Sequence, residues 1–349
     1  MSLDKFKKTS NFVTYRTSGH SSVVERLVAN EKVEGSTPFA RSKTIVIKSR
    51  LITNTFQKFL RNKDIRTFKK SLVYYLIFRI IRNFLVRDII IKIYNFEIYG
   101  SINKRSTSYY LLKKCEFGDY HEMDILRLIS NKNEIFLIDC GCNYGFYSFY
   151  VASLASKNFV LSIEASKKTS KFFLKNNELN KFKNISFFNK AISDEDKKLV
   201  NFNESENDWE SSLTHNNFEL KNVDKIETCK IDTIVKKHNL KNYTLFIKLD
   251  IEGNEMGAIK GALKTIKEFS PIIIIEFSKY IFDNQKNIEY LKTFLDKYDY
   301  QIYDVKKKII TLENIMLYID SLDKDHKTIG NYFLLRNNSK QLKLFQNNE

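Results

Sequence analysis

Residues 136–147 read FLIDCGCNYGFY, an apolar run ending at Asp139 with Gly141 and Gly145 two and six positions beyond it. A glycine at such a point lets the backbone turn sharply and approach a ligand with no Cβ in the way. The helix that follows begins with unpaired N–H groups aimed at the same place. The next β-type run, VLSIE, ends at Glu164, 25 positions after Asp139. An acid at that distance, on the tip of the second strand, is placed to accept hydrogen bonds from ribose hydroxyls. The stretch is neither a dinucleotide fingerprint nor a P-loop. Asn143 stands where the second glycine of G-x-G-x-x-G would face a pyrophosphate, Phe146 where the third would be, and no Lys-Ser/Thr pair follows. The loop suits a ligand with a zwitterionic amino-acid end, a free ribose and no phosphate.

Working outward, the pattern from Glu134 alternates short β-type runs with helical stretches, which predicts a parallel sheet with crossover helices. The runs are 135–139, 159–164, 185–189, 245–250 and 271–276, with 300–305 and 332–336 as a closing antiparallel pair at the sheet edge. Among them lies a second glycine window, FIKLDIEGNEMGAIKGAL (246–263), holding Gly253, Gly257 and Gly261. Lys248, Asp250 and Glu252 alternate along that strand and so share a face. Glu276 ends the strand after it. Glu255 follows Glu252 at the start of the next helix, and since the carboxyl ends of the strands line the ligand crevice in an open α/β sheet, these four acids and one lysine converge on one edge.

The rest of the composition sets limits. The chain has 349 residues, 58 Lys+Arg against 41 Asp+Glu (net +17), 43% hydrophobic residues, 10 Gly and 2 Pro. That hydrophobic content supports a sizeable core and excludes wholesale disorder. Ile, Lys, Asn, Phe and Tyr are abundant and all have AT-rich codons, so much of the charge reflects codon usage. Half of the glycines nevertheless fall in the two windows. Cys115, Cys140, Cys142 and Cys229 show no CxxC pair, which argues for reduced thiols in a cytoplasmic protein.

Residues 18–42 use a different vocabulary and resemble the translation of a transfer-RNA gene, so 1–43 is expected to be a mis-assigned start or a solvated tail without function. Residues 44–133 are expected to form a basic, mainly helical module, with Leu72, Leu76, Ile80 and Phe84 at four-residue steps. Lys48 to Lys114 hold 16 basic and 3 acidic residues, so +13 of the net charge sits there. A basic amphipathic helix can lie on the inner face of an anionic membrane or pack on a neighbouring domain. The apolar stretch from Ser71 is interrupted by Arg79, Arg82, Arg87 and Lys92 and does not read as a membrane span. The polar segment 207–217, with Trp209 and His215, could form a substrate lid, although an ordinary exposed loop is the commoner reading. Residues 338–349 read as a polar tail.

D-C-G-C-N-Y-G-F-Y, I-E at 163–164, N-K-A-I-S-D at 189–194, S-S-L at 211–213, I-D-T-I at 231–234, I-K-L-D-I-E-G-N-E at 247–255 and the P-I-I-I-I-E strand together resemble the FkbM-type methyltransferases. Cys140 and Cys142 stand where small apolar residues are common. The resemblance spans about 134–280 within a domain taken as 134–337. It implies a class I, seven-stranded Rossmann-like α/β fold that binds S-adenosylmethionine and transfers a methyl group, usually to oxygen on sugars or secondary metabolites. Carried across, Asp139, Gly141, Asn143 and Gly145 would line the methionine end, Glu164 the ribose, and the Lys190–Ala191–Ile192 turn the adenine. Asp250 or Glu252 would act as base, with Lys248 or Glu276 orienting the acceptor or bracing the base. A divalent metal on Asp250 is compatible with carboxylate chemistry, but nothing in the sequence requires one. The expected acceptor is a small molecule or glycan. A nucleic-acid methyltransferase using the basic module and a non-catalytic scaffold are the competing readings. The acceptor's identity and the oligomeric state are not legible.

Overall fold

In the computed structural model of the protein, residues 88–101, 119–203, 223–320 and 328–347 are described. The expectations for 1–43, for the helical steps from Leu72 to Phe84, for Cys115 and for the 207–217 lid lie outside these residues. Two units are distinguished, Met1–Tyr120 with Leu174–Lys181, and His121–Phe173 with Phe182–Glu349.

In the first unit the described chain forms an antiparallel hairpin of β1 (Asp88–Ile93) and β2 (Phe96–Ser101), paired from Asp88 with Ser101 to Ile93 with Phe96. This hairpin was not foreseen within the mainly helical module expected over 44–133. The β-branched run Ile89–Ile91 favours a pleated strand. Tyr94, at φ +51°, supplies a positive-φ turn residue of the kind that two-residue hairpin loops use. The free edge of β2 is capped by two asparagines one helical turn apart. Asn180 Oδ1 accepts from Glu97 N at 2.7 Å, its Nδ2 donates to Glu97 O at 2.6 Å, and Asn176 Oδ1 accepts from Tyr99 N at 2.6 Å. These amides act as a substitute strand. Asn180→Ala strips Glu97 of both partners, at about 1–3 kcal/mol. Amide hydrogen exchange at Glu97 is expected to quicken at least about tenfold while exchange in β3 is unchanged.

The second unit begins with the helix Tyr120–Ser130, which buries Met123, Ile125, Leu126 and Ile129. It belongs to this unit from His121 onward. The strands that follow are β3 (Ile135–Cys140), β4 (Phe159–Ile163), β5 (Ile185–Phe188), β6 (Ala191–Ile192), β7 (Leu199–Asn203), β8 (Val223–Cys229), β9 (Thr244–Leu249), β10 (Ile272–Ser278), β11 (Tyr300–Tyr303), β12 (Ile309–Ile310) and β13 (Thr328–Arg336). Eight of them form one sheet in the order β12-β11-β13-β10-β9-β3-β4-β5, and β6-β8-β7 form a small second sheet. From β5 to β10 the pairs are parallel. β13 runs antiparallel to both β10 and β11, so the expected antiparallel pair forms toward this edge, and the two residues of β12 add an outer eighth strand to the seven expected.

β3 and β9 are buried at every position, as befits central strands covered on both faces. Crossover helices Phe146–Leu154, Lys167–Asn180 and Glu255–Gly261 follow β3, β4 and β9. At the C-terminus, residues expected as a polar tail include the helix Lys340–Gln346. Its Phe345 is buried against Tyr303 and Phe333, because one aromatic side chain outweighs the polar residues around it.

Candidate active site

Sheet register gathers the acidic residues. Asp139 on β3 pairs with Ser162 on β4 and with Lys248 on β9, and Lys248 pairs with Ile274 on β10. Register partners share a face, and each strand returns to that face two residues on. Asp139, Ser162, Glu164, Lys248, Asp250 and Glu276 therefore lie on one face at the carboxyl edge of four adjoining strands.

The loop after β3 is held from inside. Gly141 and Cys142 donate their N–H groups to Ile163 O at 2.9 and 3.0 Å, and Asn143 N donates to Glu164 Oε2 at 2.9 Å. Gly141 (φ +76°), Asn143 (φ +50°) and Gly145 (φ +96°) all occupy the left-handed region, which makes the sharp turn. The missing side chains make room for protein and not for a ligand. A Cβ on Gly141 would lie 1.8 Å from the Asp250 carbonyl oxygen, and one on Gly145 would lie 2.3 Å from the Phe149 ring. The first glycine thus lets the loop close onto the end of β9.

Asp139 is buried, and its Oδ2 accepts from Ser148 Oγ at 2.6 Å, while Ser148 and Ser162 hydroxyls meet at 2.7 Å. Its Oδ1 has no partner, an orphaned acceptor suited to an ammonium group. Burial raises the Asp139 carboxyl, against the pull of the Lys248 charge and the Ser148 bond. Burial pushes Glu164 up to about 7, although N–H bonds from Ser166 and Asn143 favour its anion.

Across the edge, Lys248 is only 3% exposed. Its Nζ lies 2.6 Å from Asp250 Oδ2 and 4.7 Å from the centroid of the Tyr147 ring. A buried ammonium needs such partners. Asp250, Glu252 and Glu276 each place a carboxylate oxygen within 4.8 Å of the others. Burial and the neighbouring Asp250 and Glu252 charges hold the Glu276 carboxyl well above the usual range. Glu252 sits at φ +53°, a strained backbone of the kind that collects at functional sites. Three hard oxygen donors could also hold a divalent cation, but the Lys248 ammonium already supplies positive charge beside Asp250.

Residues 139–302 match the methyltransferase FkbM domain. This segment is an FkbM methyltransferase domain. A crystal structure of methyltransferase FkbM from Methylobacillus flagellatus KT is 19% identical over 64% of this chain, with a TM-score of 0.35. The chain spans 52% of the length of that protein. The TYW2 proteins of M. jannaschii, in complex with AdoMet, and of P. horikoshii, in complex with MeSAdo, are 15% and 12% identical over 72% of this chain. They are covered over 87% and 72% of their lengths, with TM-scores of 0.36 and 0.38. No curated protein sequence matches.

In the FkbM domain two contributors carried no sequence signal. Ser148 and Tyr147 are ordinary helix residues until the helix packs on β3 and β9. Glu255 is buried one turn beyond Glu252. Its Oε1 accepts from Ile251 N and Gly253 N at 3.2 and 3.1 Å, so it shapes the acidic loop, and burial lifts its carboxyl to about 7. Of the residues read as sites, Ala191 is buried on β6, beyond Glu164. Cys140, Cys142 and Cys229 are free and buried, with thiol ionisation suppressed by desolvation. Among the described residues no helix is long and apolar enough to cross a membrane.

Proposed function

We propose that the FkbM domain transfers a methyl group from S-adenosylmethionine to a hydroxyl oxygen of a sugar, glycan or other small metabolite. One observation carries this reading. The Asp250, Glu252 and Glu276 carboxyls cluster within 4.8 Å of one another, on the same sheet edge as Asp139 and Glu164.

The residues present suit the cofactor. The orphaned Asp139 Oδ1 can take the ammonium of the methionine end. An ionised carboxylate offers about four lone-pair sites. Glu164 spends two on Asn143 N and Ser166 N, which leaves two for the ribose hydroxyls. When bound, S-adenosylmethionine supplies a methyl group already activated on sulfonium sulfur. What remains for the protein is mainly alignment of the nucleophile. The acceptor hydroxyl loses its proton to Asp250 or Glu252 as its oxygen attacks. Lys248, anchored on the Tyr147 ring, holds Asp250 in place, and the protonated Glu276 carboxyl can donate to the acceptor or to Asp250.

Incubation with tritiated-methyl S-adenosylmethionine and separate low-molecular-mass, glycan and nucleic-acid fractions tests the reading. Label in base-stable methyl ethers is expected. Label confined to nucleic acid, or no transfer to any fraction, overturns it.

The Glu164 assignment predicts a pH dependence. The ribose hydroxyls bind the anion, and a carboxyl titrating near 7 is protonated below that pH. Affinity for S-adenosylhomocysteine is therefore expected to fall about tenfold from pH 8 to pH 6. Calorimetry on Glu164→Gln should give weaker binding and a flat profile over that range.

A further inference from the structure

Gly257 and Gly261 of the second window, with Asn254, have no part in the transfer step, yet all three bear on one stretch of backbone. Asn254 precedes the helix Glu255–Gly261 and makes no side-chain cap bond to it. Its Nδ2 instead donates to the Ile192 carbonyl at 2.8 Å. A Cβ on Gly257 would lie 2.6 Å from Asn254 Oδ1, so that glycine makes room for the asparagine side chain. A Cβ on Gly261 would lie 2.2 Å from the Ser193 carbonyl oxygen. Gly257 and Gly261, four apart, share one helix face; the first makes room for Asn254 and the second for the Ser193–Asp194 backbone.

The other side of this strap is lightly held. β6 is two residues long and pairs only with β8, at the edge of the small sheet, with Ser193 N donating to Cys229 O at 3.0 Å. Its near end is tied to the ribose acid. Asn189 Nδ2 donates to Glu164 O and Ala165 O at 2.8 and 3.1 Å, and Ala165 packs against the small cluster of Ala191, Phe202 and Ile226. Along the sheet edge the order is thus Asp139 on β3, Glu164 after β4, then the strap after β5. A ligand with its amino-acid end at Asp139 and its ribose at Glu164 places its base at the strap. Asn254 also follows directly on Glu252 (φ +53°) and Gly253 (φ +107°), the loop that carries the acceptor-side acids.

We propose that Asn254, seated by Gly257 and Gly261, is a positioning residue that holds the 191–193 strap against the adenine and so links the cofactor's base to the loop bearing Asp250 and Glu252. The proposal rests on the S-adenosylmethionine reading given above.

Calorimetry on the full chain at pH 8 with S-adenosylhomocysteine and its hypoxanthine analogue, S-inosylhomocysteine, tests it. Asn254→Ala removes the donor, and Asn254→Asp puts an acceptor against the Ile192 carbonyl. Both are expected to weaken S-adenosylhomocysteine at least about tenfold and to shrink its preference over the hypoxanthine analogue. Their ligand-free unfolding midpoints should stay near wild type. Gly261→Ala, which displaces the strap from the other end, should act in the same direction. Wild-type affinity in both Asn254 variants overturns the proposal. So does an affinity loss with unchanged base preference and a matching fall in the unfolding midpoint, the mark of a purely structural role. Absence of S-adenosylhomocysteine binding in the wild type is a different result, and it sinks the cofactor reading and this proposal together.

Discussion

Gly141→Ala is expected to destabilise the second unit by about 3 kcal/mol or more. A residue with a Cβ in the left-handed region costs about 1–2 kcal/mol, and forced overpacking typically adds about 1–3 kcal/mol. Both apply here, since Gly141 has φ +76° and its Cβ would sit 1.8 Å from the Asp250 carbonyl oxygen. The obstacle is backbone at the end of a central strand and cannot rotate aside. At about 2–4 °C per kcal/mol the unfolding midpoint should drop by about 6–12 °C. Gly141→Asn separates the two causes. Asparagine tolerates positive φ but carries the same Cβ, so it should rescue little of the loss. A midpoint for Gly141→Asn equal to wild type would show that the loop can yield and that close packing against Asp250 is not what the glycine serves.

Asp250→Asn is expected to lower turnover by about 10²–10⁴-fold, the range over which a positioned general base acts. The shape is kept, and the Asn carbonyl can still accept from Lys248 Nζ, now 2.6 Å from Asp250 Oδ2. Affinity for S-adenosylhomocysteine should therefore stay within about threefold of wild type, because Asp139 and Glu164 are untouched. Glu252→Gln is the companion variant. A large loss in one of the two with cofactor binding preserved assigns the base. Full turnover in both removes either acid from the proton transfer.

Much of this site was legible in one dimension. The apolar runs of β3, β4, β9 and β10 each stop at a charged residue, and period-2 alternation alone puts Lys248 and Asp250 on one side of a strand. The spacing from Asp139 to Glu164 fits one strand–helix–strand unit and brings the two acids to neighbouring strand ends. The hairpin Asp88–Ser101 was not legible in this way. A helical period in the preceding residues suggested continuation, whereas the β-branched run and the Tyr94 turn decide the local backbone. The C-terminal helix was hidden similarly, since only the docking of Phe345 distinguishes it from a polar tail.

The sequence by itself determined the alternation of strands and crossover helices, the acids at the strand tips and the two glycine windows. These are local properties, set by side-chain periodicity and by the backbone freedom of single residues. Tertiary structure alone decided which atoms meet. It brought Ser148 to Asp139, set Lys248 between Asp139, Asp250 and the Tyr147 ring, and turned Glu276 inward beside Asp250. It also gave the glycines their purpose, as clearances for the Asp250 carbonyl, the Phe149 ring and the Ser193 carbonyl. The longest of these contacts, Lys248 with Tyr147 and Gly141 with Asp250, join residues more than a hundred positions apart. Sheet register sets their distances, and burial sets the protonation of the acids, so neither is written in any one segment.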